Sequence, residues 1–214
     1  MGSGYRMRRR PGPPAIAVLC SGQGTNLHAI LNAIRAGRLR ARIGLVIVDR
    51  PNAFALMRAK RAGVEALYVN PKAFPDRARF ERHLIRLFAA RDVQVVCLAG
   101  FMRILSPVFV RRFRQRILNI HPALLPAFPG AHAVRDALAW GVRVTGVTVH
   151  LVDDAVDHGP IVLQEALPIR RHETPASLLA RLHRLEHRLY PQAIQWLLEG
   201  RVRVKGRTVT IRGR

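Results

Sequence analysis

The chain has 214 residues, 49% of them hydrophobic, which is long enough for one sizeable core and too apolar for a largely disordered protein. No apolar run reaches bilayer-spanning length, and two cysteines, Cys20 and Cys97, give neither a disulfide framework nor a metal-ligand spacing. The net charge of +23 would attract phosphates on nucleotides or RNA. Only Lys60, Lys72 and Lys205 are lysines, however, and the arginines are scattered over every segment, so the excess reads as a general substitution of arginine for lysine rather than a built patch.

Residues 1–14 (MGSGYRMRRRPGPP) have the basic start of a signal peptide, but the apolar stretch after them (Ala15 to Leu19) is too short and no small-residue cleavage site follows. They are expected to form a disordered basic arm on a cytoplasmic protein. Ile16–Cys20, Leu45–Val48, Val64–Val69 and Val93–Leu98 have the apolar, β-branched character of strands. Between them, Leu27, Ile30, Leu31 and Ile34 fall on one helix face, and Ala53–Ala62 and Arg77–Arg91 also carry helical patterns. This alternation predicts an α/β fold with a Rossmann-like, mostly parallel twisted sheet flanked by helices on both faces.

Ser106-Pro107 marks a further helix start, with a capping hydroxyl before a proline. Strand Ile117–Ile120 and a helix around Ala133–Trp140 follow. The second half changes character: Val144–Val152 and Ile161–Ala166 are close strands joined by a short polar loop, an antiparallel part of the sheet. Thr174-Pro175 opens a long helix with Leu178, Leu182, Leu185 and Leu189 as its core stripe, and Pro191 is expected to kink or restart it. The tail RVRVKGRTVTIR alternates apolar and basic residues around Gly206, as a terminal hairpin does. Residues 15–214 are read as a single domain, with a phosphate-binding half over about 15–115 and a catalytic half over about 116–214.

Four segments carry chemistry. In ILNIHPALLP, Asn119 and His121 stand two apart in a strand, so both side chains lie on one face. An amide donor beside an imidazole could polarise a carbonyl and hold the resulting oxyanion. For that pair alone, a buried histidine satisfied by its neighbour is the more ordinary explanation. Ser21-Gly22-Gln23-Gly24-Thr25-Asn26 follows the first strand and opens a helix, where free N–H groups suit a monophosphate. It lacks the Walker lysine and the third glycine of a dinucleotide fingerprint, and a ligand-free tight turn is the alternative. In Ala99–Leu105, apolar residues and Gly100 surround a lone Arg103, as in a slot for a flat heterocycle or in ordinary strand-to-helix packing. In the loop 153–160, Asp153, Asp154 and Asp157 crowd together in an acid-poor chain; Asp157 sits close to a Gly-Pro turn that could aim it inward.

Taken in order, SGQGTNL, AGFMRIL, NIHPALLPAFPGAH and VDDAVDHGPIVLQ resemble the glycinamide ribonucleotide formyltransferase family, from about Ala15 to the C-terminus. The resemblance implies formyl transfer from 10-formyltetrahydrofolate, a co-substrate, to the amine of glycinamide ribonucleotide in purine synthesis, with no metal and no covalent intermediate. It implies a catalytic set of Asn119, His121 and Asp157, in which Asp157 raises the pKa of His121. It places the ribonucleotide phosphate on Gly24, Thr25 and Asn26 and an acid near the substrate amine at Glu186. It places the folate against Met102, Arg103, Ile104 and Leu105, with Val152, Asp153, Asp154, Ala155 and Val156 as the opposite wall and Arg77 near the glutamate.

Three positions depart from the usual motif: Ala123 in HPALLP, the fragment Val48–Asn52 with Asp and Asn in effect exchanged, and His158 at the variable position of DxGP. A methionyl-tRNA formyltransferase is expected to carry a further C-terminal domain, and a formyltetrahydrofolate hydrolase an N-terminal regulatory one. A catalytically silent RNA-binding relative would use Arg181, Arg184 and Arg188, but no aromatic residues interleave with them to stack bases. The expected partners are the two small molecules, with neither membrane nor nucleic acid, and the protein is expected to be a monomer or homodimer.

Overall fold

A computed structural model of the protein describes residues 12–213. The expected disordered arm lies, for residues 1–11, outside the described residues. Strand β1 (Ala15–Cys20) is buried along its whole length and pairs in parallel with β2 (Arg42–Val48) on one side and β4 (Val93–Leu98) on the other. The unbroken apolar runs of β1 and β4 are what a strand covered on both faces requires. With β3 (Ala66–Tyr68), β5 (Ile117–His121), β6 (Val144–Leu151) and β7 (Ile161–Pro168), they form a seven-stranded sheet in the order β3-β2-β1-β4-β5-β6-β7. The first five strands are parallel, and β6 and β7 are antiparallel.

Helices cover both faces. Helices α1 (Thr25–Arg35), α2 (Phe54–Arg61), α5 (Ala133–Trp140) and α6 (Pro175–Leu198) pack over Ile16, Val18, Cys20, Val46, Cys97, Leu118 and Val149. Helices α3 (Arg77–Ala89) and α4 (Pro107–Arg112) cover Ala17, Leu19, Ile47, Val96 and Leu98 with a cluster of Phe80, Phe88, Phe109 and Phe113. The hydroxyl of Ser106 accepts from the Phe109 N–H and caps α4, while the buried Glu81 carboxylate accepts from the Ser106 N–H (2.7 Å) and hydroxyl. Among the described residues no helix is long and apolar enough to cross a membrane.

Two expectations change. The strand predicted over Val64–Val69 contracts to three residues, because β3 is the sheet edge and its ladder is with β2 alone. Pro191 does not restart the last helix: α6 runs through it. Proline removes one hydrogen bond, to the carbonyl of His187, while Leu189, Tyr190, Ala193 and Ile194 on either side are buried and hold the helix in place. The Tyr190 hydroxyl reaches the carbonyls of Leu98 (2.8 Å) and Leu118 (2.9 Å), fastening α6 across β4 and β5.

The predicted tail hairpin forms as β8 (Val202–Lys205) and β9 (Thr208–Ile211), separate from the main sheet. The arginines of α6 are not a free stripe. Arg181 pairs with Glu173 (2.6 Å) and donates to the Pro168 carbonyl, and Arg188 pairs with Glu165.

Candidate active site

The order of the strands reverses between β1 and β4: the chain runs outward from β1 through β3, then returns to the other side of β1 as β4. A crevice opens at the carboxyl ends of such a pair. Two loops meet there, 21–24 after β1 and 99–105 after β4. Ser21 joins them, its N–H donating to the Gly100 carbonyl (3.0 Å) and its hydroxyl accepting from the Met102 N–H (2.9 Å).

Gly24 ends the first loop at φ +67°, and an added Cβ would lie 2.8 Å from the Ala55 Cβ, so only glycine fits beneath α2. The first intrahelical bond of α1 is from His28 to the Gly24 carbonyl, which leaves the N–H groups of residues 25–27 ahead of the ladder. That end of the helix is suited to an anion. Arg58 donates to the Gln23 carbonyl (2.8 Å) from the far side of the same turn.

The Asn26 amide donates to Glu186 (2.9 Å), a buried acid on α6 whose carboxyl is pushed above its usual range by burial, against the opposing pull of Asn26 and His183. Glu186 therefore joins the turn at the start of α1, and its hydrogen bond is to Asn26, not to the Asn119 group. His183 and His187 flank it in sequence and stack at 6.0 Å between ring centres.

Asn119 and His121 lie on the α3/α4 face of β5, as period two requires. Antiparallel pairing sets Asn119 opposite His150 and His121 opposite Thr148, and Thr148 in turn opposite Gln164 of β7. Thr148 donates to the Ala123 carbonyl (2.7 Å) and accepts from the Leu125 N–H and the Gln164 amide. Gln164 also donates to the Leu125 carbonyl (2.9 Å). This polar row pins the segment after His121, so that the Phe128 carbonyl returns to the ring and sits 2.8 Å from Nε2.

Asp157 comes from the loop between β6 and β7. It adopts φ +49°, an uncommon conformation for aspartate, two residues before Gly159. A Cβ at Gly159 would fall 1.8 Å from the Leu151 carbonyl oxygen, so the chain can double back there only through glycine. One Asp157 oxygen accepts from the Gly130 N–H (2.7 Å) and lies 3.4 Å from His121 Nδ1; the other accepts from Asn119 Nδ2 at 3.2 Å. The three residues singled out in the sequence are thus brought together.

The sequence reading missed a fourth, His150, which is fully enclosed. Its Nδ1 faces the Leu151 carbonyl (3.0 Å), so the proton is assigned to Nδ1 and Nε2 of the neutral ring accepts from Asn119 (3.1 Å). A buried histidine at the second position after Thr148 was the available signal, but its partner is set by strand pairing across 31 residues.

The electrostatics differ from expectation at His121. Burial lowers its pKa and is the largest influence; the Asp157 carboxylate and the Phe128 carbonyl pull it up without compensating, and His150 adds to the lowering. Asp157 acts in the expected direction, but the net shift is downward. The ring is therefore neutral at pH 7, and because a carbonyl can only accept, its proton is on Nε2. Nδ1 keeps a lone pair toward Asp157 and can take up a proton. Asp157 itself is held below its usual range. Burial pushes it up, and the adjacent His150, the hydrogen bond from the Gly130 N–H and the nearby His121 outweigh that push.

Beyond the second loop, a cleft of about 180 Å³ is lined by Phe74, Phe80 and Phe101, with Arg77, Arg103, Ile104 and Leu105. Arg103 is held by Asp49 (2.9 Å), a buried residue of the unusual Val48–Asn52 fragment, and lies 6.0 Å from the Phe80 ring centre. Met102 and Ile104 are more than half exposed, Asp154, Ala155 and Val156 are also exposed, and Val152 packs against the core. Among the described residues no group of three histidines, cysteines or acids is arranged for a metal.

A profile of the formyl transferase family matches residues 15–194. The chain is 40% identical over 189 residues to the phosphoribosylglycinamide formyltransferase of Escherichia coli, covering 88% of this chain and 89% of that protein. It is 43% identical to the trifunctional purine biosynthetic protein adenosine-3 of Drosophila melanogaster, but that match spans 86% of this chain and 14% of that much longer protein. The crystal structure of glycinamide ribonucleotide transformylase 1 from Symbiobacterium toebii superposes with a TM-score of 0.92 at 48% identity, covering 98% and 99% of the two chains. The chain belongs to the formyl transferase family, on its phosphoribosylglycinamide formyltransferase branch.

Proposed function

We propose that the protein transfers the formyl group of 10-formyltetrahydrofolate to the amine of glycinamide ribonucleotide, a step of purine synthesis. The observation that carries the reading is the half-buried Asn119–Asp157–His121 set, in a fold that also offers a helix start suited to phosphate and an aromatic cleft with two arginines. The phosphate lies on Gly24, Thr25 and Asn26, with Glu186 beneath them. Arg77 and Arg103 meet the folate carboxylates, and Ile104, Leu105 and Met102 face Val152–Val156 across the heterocycle.

The amine attacks the formyl carbon, and the carbonyl becomes a tetrahedral oxyanion. Both Asn119 amide hydrogens are engaged in the resting arrangement, and the bond to Asp157 is the longer. The oxyanion takes that hydrogen. The amine proton passes to the Asp157–His121 pair, where neutral Nδ1 accepts it and the imidazolium formed is held by the carboxylate and the Phe128 carbonyl. Transfer of that proton to N10 of the folate lets the C–N10 bond break as the carbonyl re-forms. In this scheme the charge on His121 arises during the reaction, which costs less in a buried site than a permanent imidazolium.

The test mixes purified protein with glycinamide ribonucleotide and 10-formyl-5,8-dideazafolate and follows the deformylated folate by absorbance. Turnover that needs the ribonucleotide and is lost in His121→Ala establishes the activity. Turnover without the ribonucleotide makes the protein a hydrolase, and no turnover refutes the reading.

A further inference from the structure

The loop that carries Asp157 is tied down at a point outside the site. Asp153 closes its neck, with Oδ1 accepting from the Ala155 N–H (3.1 Å) and Oδ2 lying 2.8 Å from His158 Nδ1. A carboxylate only accepts, so Nδ1 carries a proton. Arg207, at the tip of the β8–β9 hairpin 49 residues later, lies over this ring, with Nη1 3.0 Å from Nε2 and 3.3 Å from Nδ1, and its Nη2 donates to the His158 carbonyl at 2.6 Å. One planar guanidinium thus holds both the ring and the backbone of the residue after Asp157.

The hairpin is a firm support. Val202, Val204 and Ile211 pack against the main core, and Arg201 clasps its base by donating to the carbonyls of Arg212 (2.7 Å) and Gly213 (2.9 Å). The crown of the loop, Asp154 to Val156, is exposed and has little packing of its own. Asp157 must also be kept at a positive φ, a conformation that aspartate leaves readily unless its surroundings enforce it.

We propose that Arg207 and His158 form a latch through which the C-terminal hairpin fixes the 153–158 loop, making Arg207 a positioning residue for Asp157 and for the folate-facing wall. The catalytic consequence rests on the function proposed above; the latch itself does not. His158 stands at a position that varies in the motif, so the latch belongs to this chain's own sequence.

Hydrogen exchange of the amides of residues 153–158 tests the latch without any substrate, in the full-length protein and in Arg207→Ala and Arg207→Lys. Exchange in that loop is expected to quicken about tenfold in Arg207→Ala. It should quicken less in Arg207→Lys, which keeps one donor for the carbonyl, with the rest of the chain unchanged. The KM for the folate should rise roughly three- to tenfold, the scale of losing one ordinary hydrogen bond, while the KM for the ribonucleotide stays the same. Unchanged loop exchange in Arg207→Ala overturns the latch, and so does quickening spread evenly over the chain. Local quickening in a protein that turns over no folate upholds the latch and refutes the proposed function instead.

Discussion

His150 Nε2 lies 3.1 Å from the amide nitrogen of Asn119, and the same nitrogen lies 3.6 Å from Asp157. Strand pairing fixes this contact, since the two residues face each other across β5 and β6. His150 thereby sets the plane of the Asn119 amide and the hydrogen it offers to Asp157. His150→Phe, which keeps the ring volume without the acceptor, is expected to lower kcat about 2- to 12-fold, the equivalent of about 0.5–1.5 kcal/mol for a hydrogen bond between neutral groups. KM for either substrate should change little, because the site's shape is kept. Steady-state kinetics check this, and a change confined to KM would mean that His150 only shapes the pocket.

The downward pKa shift of His121 has consequences for activity and stability. Neutral Nδ1 is the working form, so kcat/KM should fall on acidification only below pH 6.5, the ordinary histidine value, and be level above it up to pH 8. In the window between the lowered folded pKa and 6.5 the unfolded chain binds the extra proton, so His121 costs the protein stability as pH falls. Asp157, held below its usual 3.8, adds its own loss of stability lower still, as pH falls through its depressed value. Glu186, raised above 4.5, works the other way, and its contribution is lost as pH rises through its elevated value. Urea midpoints between pH 5 and 7 should therefore fall less steeply in His121→Asn than in the wild type.

How far the sequence foretells such a site depends on the range of the interaction. Local signals were enough for Asn119 and His121, which need only the period of a strand, and for Ser106, which needs only a cap. The continuous apolar runs of β1 and β4 likewise announced strands buried on both faces. What local pattern could not supply was the partner of each polar group. Whether the upward pull of Asp157 on His121 prevails depends on how deeply the ring is buried, and Glu186 meets Asn26 across 160 residues of chain. Pro191 did not restart α6 for a related reason: its local penalty is real, but the core contacts of its neighbours outweigh it.

Tyr190 offers a test of those long-range contacts. Its hydroxyl reaches from α6 through the core to the carbonyls of Leu98, at the end of β4, and Leu118, in β5. Tyr190→Phe removes the donor without leaving a large cavity, and is expected to cost about 1–2 kcal/mol of stability. Urea unfolding followed by circular dichroism measures the change. A loss under about 0.3 kcal/mol, below the ordinary scale for a buried hydrogen bond, would show that other partners satisfy those carbonyls fully.

Asp49 is the residue of the unusual Val48–Asn52 fragment whose position bears most on binding. It is buried, and its Oδ2 fixes Arg103 over the Phe80 side of the cleft while Oδ1 has no hydrogen-bond partner. Holding an acid there is costly unless the pair orients the guanidinium for a ligand. Asp49→Asn, which restores the residue more common in that motif, removes the buried charge and with it the ion pair that fixes Arg103. Thermal stability is therefore expected to be unchanged or slightly higher. The folate KM should shift about three- to tenfold as Arg103 loses its fixed orientation, whereas the ribonucleotide KM, set at the start of α1, should not move. Kinetics with each substrate varied in turn separate the two effects, and a shift in the ribonucleotide KM alone would show that Asp49 acts on the phosphate loop and not through Arg103.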